Sequence, residues 1–223
     1  MRVAALLLVT GYALLPPVLS RCLSLALSPE TLSLSGRSTT SNTSSSSTTT
    51  ILPYPPSPLP TSPPEPTPTP LDLSISYALS NACLLYLTAL LRSSTFLSCL
   101  PLSLLMTTSS GYSTLLSTSI ASGNYTTLNN LVGYTSEPQP SGSECDTYLL
   151  GVLADFGSKA NCQADVQSGN VVALQAAAGL GNYQVVREAS GLLNSQGVYC
   201  YLEALSSARP DDLYLWGIPG GVS

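Results

Sequence analysis

Apolar residues in the second half of the chain recur at helical spacing. Cys145, Tyr148, Leu149, Val152, Leu153 and Phe156 fall at i, i+3, i+4, i+7, i+8 and i+11, one continuous stripe down a helix. Ser143, with Asp146 three residues on, resembles a capping box at its start, and Gly157 suits its end. A second helix is predicted from about Ser80 to Leu91, where Leu84, Leu85, Leu87, Leu90 and Leu91 make most faces apolar. A third is short and begins near Pro101, a residue tolerated in a first turn. Tyr112 to Ala121 predicts a fourth. Val171 to Ala189 is Ala-rich and reads as helix interrupted at Gly179-Leu180-Gly181, a kink or close-packing point, and Val198 to Ser206 is the last. No run of alternating β-branched residues and no Asn-Gly turn signals a hairpin. The pattern predicts an all-α bundle of five to seven short helices over residues 71–223.

The first 70 residues follow a different logic. Met1-Arg2 precedes a nearly unbroken apolar run to Leu15, then Pro16-Pro17 and Val18-Leu19-Ser20, the layout of a secretory signal peptide over residues 1–20. The apolar run is too short for a comfortable membrane span. A second possible cut follows Ser28; the first cut keeps Cys22 and the second removes it. Residues 21–70 read as a disordered linker or stalk. Every residue from Ser38 to Thr50 except Asn42 is Ser or Thr, and Pro dominates 53–70. Such a stretch has too little apolar surface to offset the entropy of ordering it. The Pro-rich half is expected as extended polyproline II, spanning about 55 Å if fully drawn out. In a secreted protein this composition reads as an O-glycosylated stalk, and Asn42-Thr43-Ser44 and Asn124-Tyr125-Thr126 are N-glycosylation acceptors.

Cysteine usage sharpens the picture. The presumptive domain holds Cys83, Cys99, Cys145, Cys162 and Cys200, with no CxxC and no His anywhere in the chain, which argues against zinc. Export places these thiols where disulfides form. Cys83-x15-Cys99 and Cys145-x16-Cys162 are similar units, each a Cys opening a helix and a second Cys after a polar loop. A helix of about ten residues rises about 15 Å, and six to seven loop residues can return about 20 Å, so each unit can close on itself. The expectation is Cys83–Cys99 and Cys145–Cys162, with cross-pairing between the units as the rival. Cys200 is left to meet Cys22, to pair between chains, or to stay buried as a thiol.

The run Cys99-Leu100-Pro101-Leu102-Ser103-Leu104-Leu105, preceded by Cys83 and Phe96, resembles a family of fungal secreted domains of unknown function. Asn161-Cys162, Asp165, Leu174-Gln175-Ala176, Gly179-Leu180, Tyr183 and Tyr199-Cys200-Tyr201 continue the likeness, which spans about residues 77 to 219. The resemblance implies a signal peptide, a Ser/Thr/Pro-rich region and a helical, cysteine-bridged domain. Two cysteines usual in that family, one before the position of Cys145 and one near Ser190, are missing here, consistent with loss of one bridge. Members often run on past the Ile218-Pro219 region, some into a hydrophobic tail; with no such tail by Ser223, no lipid anchor is expected. The resemblance carries no activity, substrate or catalytic residue.

Charge then narrows the function. Only 9% of the 223 residues are charged and the net charge is −5. Few, scattered Lys and Arg argue against nucleic acid. Absence of His removes Ser-His-Asp and Cys-His catalysis. No GxSxG elbow, Walker loop, GxGxxG after a strand or calcium loop is present, and no cofactor is expected. Asp211-Asp212 reads as a solvated pair. Asp146 and Asp155 lie nine residues apart on one helix, hence on opposite sides, and cannot form a glycosidase pair; Glu144, Asp165, Glu188 and Glu203 could converge only through the tertiary fold. Tyr199, Tyr201, Tyr214 and Trp216 are candidate aromatics for stacking on sugar rings, although such residues more often pack in cores. Three readings follow: a secreted or wall-associated structural or interaction protein, a carbohydrate-binding module using those aromatics, and, least favoured, a carboxylate-dependent hydrolase. Cell-wall polysaccharide or another surface protein is the expected partner.

Overall fold

The computed structural model describes residues 53–72, 79–138 and 140–207. Ten helices and no strand occur among these residues, so the all-α expectation holds. In chain order they are α1 (Asn81–Leu91), α2 (Ser94–Ser98), α3 (Leu102–Thr108), α4 (Ser110–Ser122), α5 (Thr126–Ser136), α6 (Gly142–Phe156), α7 (Gln163–Gln167), α8 (Val171–Gly181), α9 (Tyr183–Ser190) and α10 (Cys200–Ser207). The count exceeds the expected five to seven. The short α2 and α7 lie where polar composition suggested loops, and the polar start of α5 hid its apolar face.

A chain this poor in acids begins its helices on neutral side chains. Ser80, Ser93, Ser109 and Ser141 accept from backbone N–H groups in the first turns of α1, α2, α4 and α6, and Asn170 does so for α8. The N-cap of α6 is therefore Ser141, paired with Glu144, two residues earlier than the expected Ser143 with Asp146. Ser141 Oγ accepts from Glu144 N at 3.3 Å and donates to Glu144 Oε2 at 2.6 Å. Asp146 is thereby released to meet Arg187 of α9, whose Nε and Nη2 donate to its two oxygens at 3.2 and 3.0 Å. At the far end of α4, Gly123 takes φ 68°, the left-handed cap that glycine favours.

Two apolar clusters form the core. The first gathers Cys83, Leu87 and Leu90 of α1, Phe96 of α2, Leu149, Val152 and Phe156 of α6, and Ala173, Ala176 and Leu180 of α8. The second gathers Tyr112, Leu128, Leu131, Val132, Tyr134, Tyr201 and Leu202 from α4, α5 and α10. Helix α3 joins them: Leu104 enters the first cluster, Leu102 and Leu105 the second, and all three are at most 1% exposed. Helix α9 does the same through Tyr183 and Val186. A helix sunk between two cores must let a neighbour come close. Gly179 of α8 provides that contact: a Cβ there would lie 2.8 Å from Leu104 Cδ1 and 2.9 Å from Leu104 Cα. Ser103 Oγ donates to the Gly179 carbonyl oxygen at 2.5 Å across the same contact. The glycine step is thus a close-packing point, and the helix breaks one residue after it, at Asn182.

The Pro-rich segment departs from expectation. Residues 53–72 lie against the helices instead of extending away as a linker. The Pro53 carbonyl accepts from Tyr199 N at 2.9 Å, Pro56 approaches Gly133 of α5, and Pro68 approaches Gly111 of α4. Leu71 is fully buried, donates its N–H to Thr108 Oγ1 at 2.9 Å, and holds φ 62°, a left-handed value unfavourable for leucine. Burying a leucine side chain contributes roughly 1.5–3 kcal/mol, enough to offset that backbone cost. Prolines order such a segment cheaply because their φ is already fixed in the unfolded chain. Residues 53–72 thus pack against the helices; residues 1–52, with the expected signal peptide and Ser/Thr-rich tract, lie outside the described residues.

Gly179 and Gly181 make a controlled pair. Gly179→Ala should cost roughly 1–3 kcal/mol by forcing α3 and α8 apart. A Cβ at Gly181 would meet only Leu153 Cδ2, at an ordinary 3.7 Å. Gly181→Ala should leave stability unchanged or raise it by up to roughly 1 kcal/mol. Urea unfolding followed by circular dichroism checks both.

Candidate functional site

The cysteines, the strongest candidates for a defining chemical feature, do not pair locally. Cys83 bonds Cys162 and Cys99 bonds Cys145, with Cα–Cα distances of 4.4 and 5.3 Å. The expected Cys83–Cys99 and Cys145–Cys162 bridges are therefore corrected to cross-pairing. The reason is local. The polar stretch after α1, expected to loop back, is itself helical as α2, so Cys99 is carried onward from Cys83. After α6, the chain turns tightly on the helix end: Cys162 N donates to the Phe156 carbonyl at 2.9 Å and Asn161 Nδ2 to the Asp155 carbonyl at 2.8 Å. Cys162 thus stays at one end of a fifteen-residue helix with Cys145 near the other, about 1.5 Å of rise per residue away.

The two similar units instead lie antiparallel. The start of the first bridges the end of the second, and the end of the first bridges the start of the second. Between the bridges, Tyr86 OH donates to the Val152 carbonyl at 2.9 Å, the Tyr86 and Phe156 rings meet edge-on at 6.2 Å, and Ser93 Oγ lies 3.4 Å from Tyr148 OH. The near-equal spacings seen in sequence are the two matched sides of this clamp.

Two aspartates act as polar anchors, one at the Cys83–Cys162 end of the clamp and one on the proline segment. Asp165 of α7, 6% exposed, accepts from Ser80 N at 2.8 Å and Ser80 Oγ at 2.5 Å. Ser80 and Cys83 on one side thus meet Asp165 and Cys162 on the other, three residues apart in both. A carboxylate here also faces the N-terminal end of α1, where negative charge is favoured. At the end of the proline segment, Asp72 accepts from Ser110 N at 2.7 Å, Ser110 Oγ at 2.9 Å and Gly111 N at 3.0 Å, fastening that segment to the start of α4. Burial would raise the Asp72 pKa, but these backbone and hydroxyl donors outweigh it and hold the carboxyl below its ordinary value. Sequence reasoning missed both aspartates as anchors, since their partners lie 38 and 85 positions away. The one available signal was the Ser80 cap.

The remaining candidates separate. Cys200 is disulfide-bonded, which excludes its reading as a buried thiol. Tyr199 and Tyr201 are 2% and 1% exposed and belong to the second core. They are corrected from candidate ligand aromatics to packing residues, with the Tyr201 hydroxyl hydrogen-bonded to that of Tyr112. Tyr214, Trp216, Asp211, Asp212, Cys22 and Asn42 lie outside the described residues. Asn124 is exposed in the turn between α4 and α5. The candidate carboxylates are engaged: Glu144 in its cap, Asp165 on Ser80, Glu203 with Asn194, Glu188 with Gln184, and Asp146 and Glu188 brought together on Arg187. Among the described residues no group of three or more Cys, Asp or Glu could hold a metal, and no helix is long and apolar enough to cross a membrane.

These features define an all-α domain clamped by crossed disulfides and closed by a proline-rich strap. The chain belongs to the family described as Domain of unknown function (DUF7729), which matches residues 66–223, beginning within the strap. No curated protein and no solved structure matches it.

Two outcomes follow from this geometry. Removing either bridge as a Cys→Ala pair should cost about 4 kcal/mol, because each closes a long loop, of 46 or 79 residues' separation; denaturant midpoints of the oxidised proteins measure it. Stability should also fall at alkaline pH. Burial, aided by the Asp155 carboxylate for Tyr86 and Glu137 for Tyr199, pushes both phenols up to about 12. Burial likewise raises Tyr112, Tyr134, Tyr183 and Tyr201 above the ordinary 10.0. A raised folded pKa means stability is fully present below pH 10 and is lost as pH climbs toward 12. Asp72 acts in the opposite direction: its depressed pKa contributes above the ordinary 3.8, and that contribution is lost as pH drops through its folded value. With no His, the melting temperature should be nearly flat between these limits. Thermal melts across pH, with tyrosinate absorbance recorded in parallel, check this.

Proposed function

We propose that this is an exported protein acting at the cell surface or wall, structurally or through interaction, and that it is not an enzyme. The observation that carries the reading is the pair of long-range disulfides in a chain that opens with a leader-like segment. Crossed bridges of this kind persist in oxidising compartments and are rare where thiols are kept reduced. They hold the domain shut without relying on charge, which suits a protein with 9% charged residues. The Ser/Thr-rich tract ahead of the strap serves as a glycosylated spacer, and the partner is a wall polysaccharide or another surface protein. The sugar-binding alternative loses Tyr199 and Tyr201 to the core and rests on Tyr214 and Trp216 alone. The hydrolase alternative has one described carboxylate pair, Asp146 and Glu188, and Arg187 holds both as ion-pair partners.

The full chain, expressed with its own leader in a eukaryotic secretory host, should appear in the medium or wall fraction, cut after Ser20, with Cys83–Cys162 and Cys99–Cys145 oxidised. Cytoplasmic protein with an intact leader and reduced thiols overturns the reading. A polysaccharide pull-down that retains the protein and fails with Trp216→Ala would move the assignment to the carbohydrate-binding alternative.

A further inference from the structure

From Ser93 through Ser136 the chain contains no Asp, Glu, Lys or Arg, so α2, α3, α4 and α5 carry no charge at all. Helix α3 is buried and needs none. Helix α4 lies at the periphery, burying only Tyr112 and Ser119. Its outer surface is Ser113, Thr114, Ser117, Thr118 and Ser122, with Ile120 39% exposed among them. Several of these hydroxyls turn inward for hydrogen bonds: Ser113 Oγ donates to the Ser109 carbonyl, Ser117 Oγ to that of Thr114 and Ser122 Oγ to that of Ser119. Such hydroxyls wet a surface less than free ones, so this uncharged face is weakly hydrated.

Asn124 stands at the C-terminal end of that helix. Gly123 ends α4 in the left-handed region, Tyr125 is buried and pins the turn, and Asn124 between them is exposed. Its Oδ1 accepts from Thr126 N at 3.1 Å and Thr126 Oγ1 at 2.8 Å, so the acceptor asparagine and the hydroxyl of its Asn-x-Thr motif are already paired in an Asx turn. We propose that Asn124 is an N-glycosylation site whose glycan covers the uncharged outer face of α4. The proposal rests on the export reading above, since glycan transfer requires entry into the secretory pathway. In the transfer, the Asn124 amide nitrogen loses a proton and bonds to the anomeric carbon of an oligosaccharide. The leaving group is the pyrophosphate of a lipid-linked donor, and no oxidation or reduction occurs.

The test is peptide mass spectrometry on the full chain secreted from a eukaryotic host. Glycosidase release in heavy-oxygen water marks any asparagine that carried a glycan. The peptide holding Asn124 should be marked in wild type and in Thr126→Ser, and unmarked in Asn124→Asp and Thr126→Ala. Asn124→Asp keeps an oxygen acceptor for the turn, so its loss of the mark is not a folding artefact. Secreted, folded protein with a bare Asn124 overturns the site while leaving the export reading intact. If the chain is retained in the cytoplasm, the export reading fails, and a version carrying the host's leader decides the site alone: marked supports it, bare overturns it. Light scattering should show the Asn124→Asp protein self-associating at lower concentration than glycosylated wild type; equal behaviour overturns the covering role.

Discussion

The antiparallel clamp between α1–α2 and α6–α7 is the constraint on which the rest of the molecule depends. Two covalent ties at opposite ends of the helix pair leave it neither sliding nor splaying. Between them Tyr86, Phe156, Ser93 and Tyr148 lie in one register. Each bridge joins residues far apart in sequence, so each removes considerable freedom from the unfolded chain. That matters for a protein whose charge is too sparse to build ion-pair networks: Arg187 with Asp146 and Glu188 supplies the salt bridges among the described residues.

Scarcity of charge has a second effect, on how helix ends are satisfied. Serine and asparagine caps serve locally, with Glu144 assisting at α6, and two further acids come from a distance. Asp165 reaches the start of α1 and Asp72 the start of α4. Each therefore performs two tasks: it satisfies N–H groups that the helix leaves open, and it fastens one part of the chain to another. The proline strap illustrates the second task. Its prolines have little freedom to lose, and hydrogen bonds fasten it at Tyr199, at Thr108 and at Ser110-Gly111.

Hydrophobic periodicity located most of the long helices but missed the eleven-residue α5. The stripe from Cys145 to Phe156 became α6, and Leu-rich 80–91 became α1 after its Ser80 cap. Helices α2 and α7 were illegible because five residues cannot display a period of 3.6, and their formation depends on neighbours. The strap was misread because composition reports what a segment can bury by itself. Leu71 shows the failure: one leucine at the end of a proline run says nothing about a pocket built by helices elsewhere. Two of the four aromatic candidates failed similarly, since Tyr199 and Tyr201 look alike in sequence whether they face sugar or core.

The amino-acid sequence by itself determined the helical class, the even spacing of the cysteine units, the absence of imidazole chemistry and the glycine at the α3–α8 contact. Those follow from residue type and local period, which act within a few turns of chain. Only the tertiary structure decided which sulfur met which, that α3 would lie between two cores, and that part of the supposed linker would fold onto the domain. Such outcomes turn on contacts between residues tens of positions apart, and the free energy that selects them comes from burial and bond geometry in three dimensions, to which no local pattern of residues is sensitive.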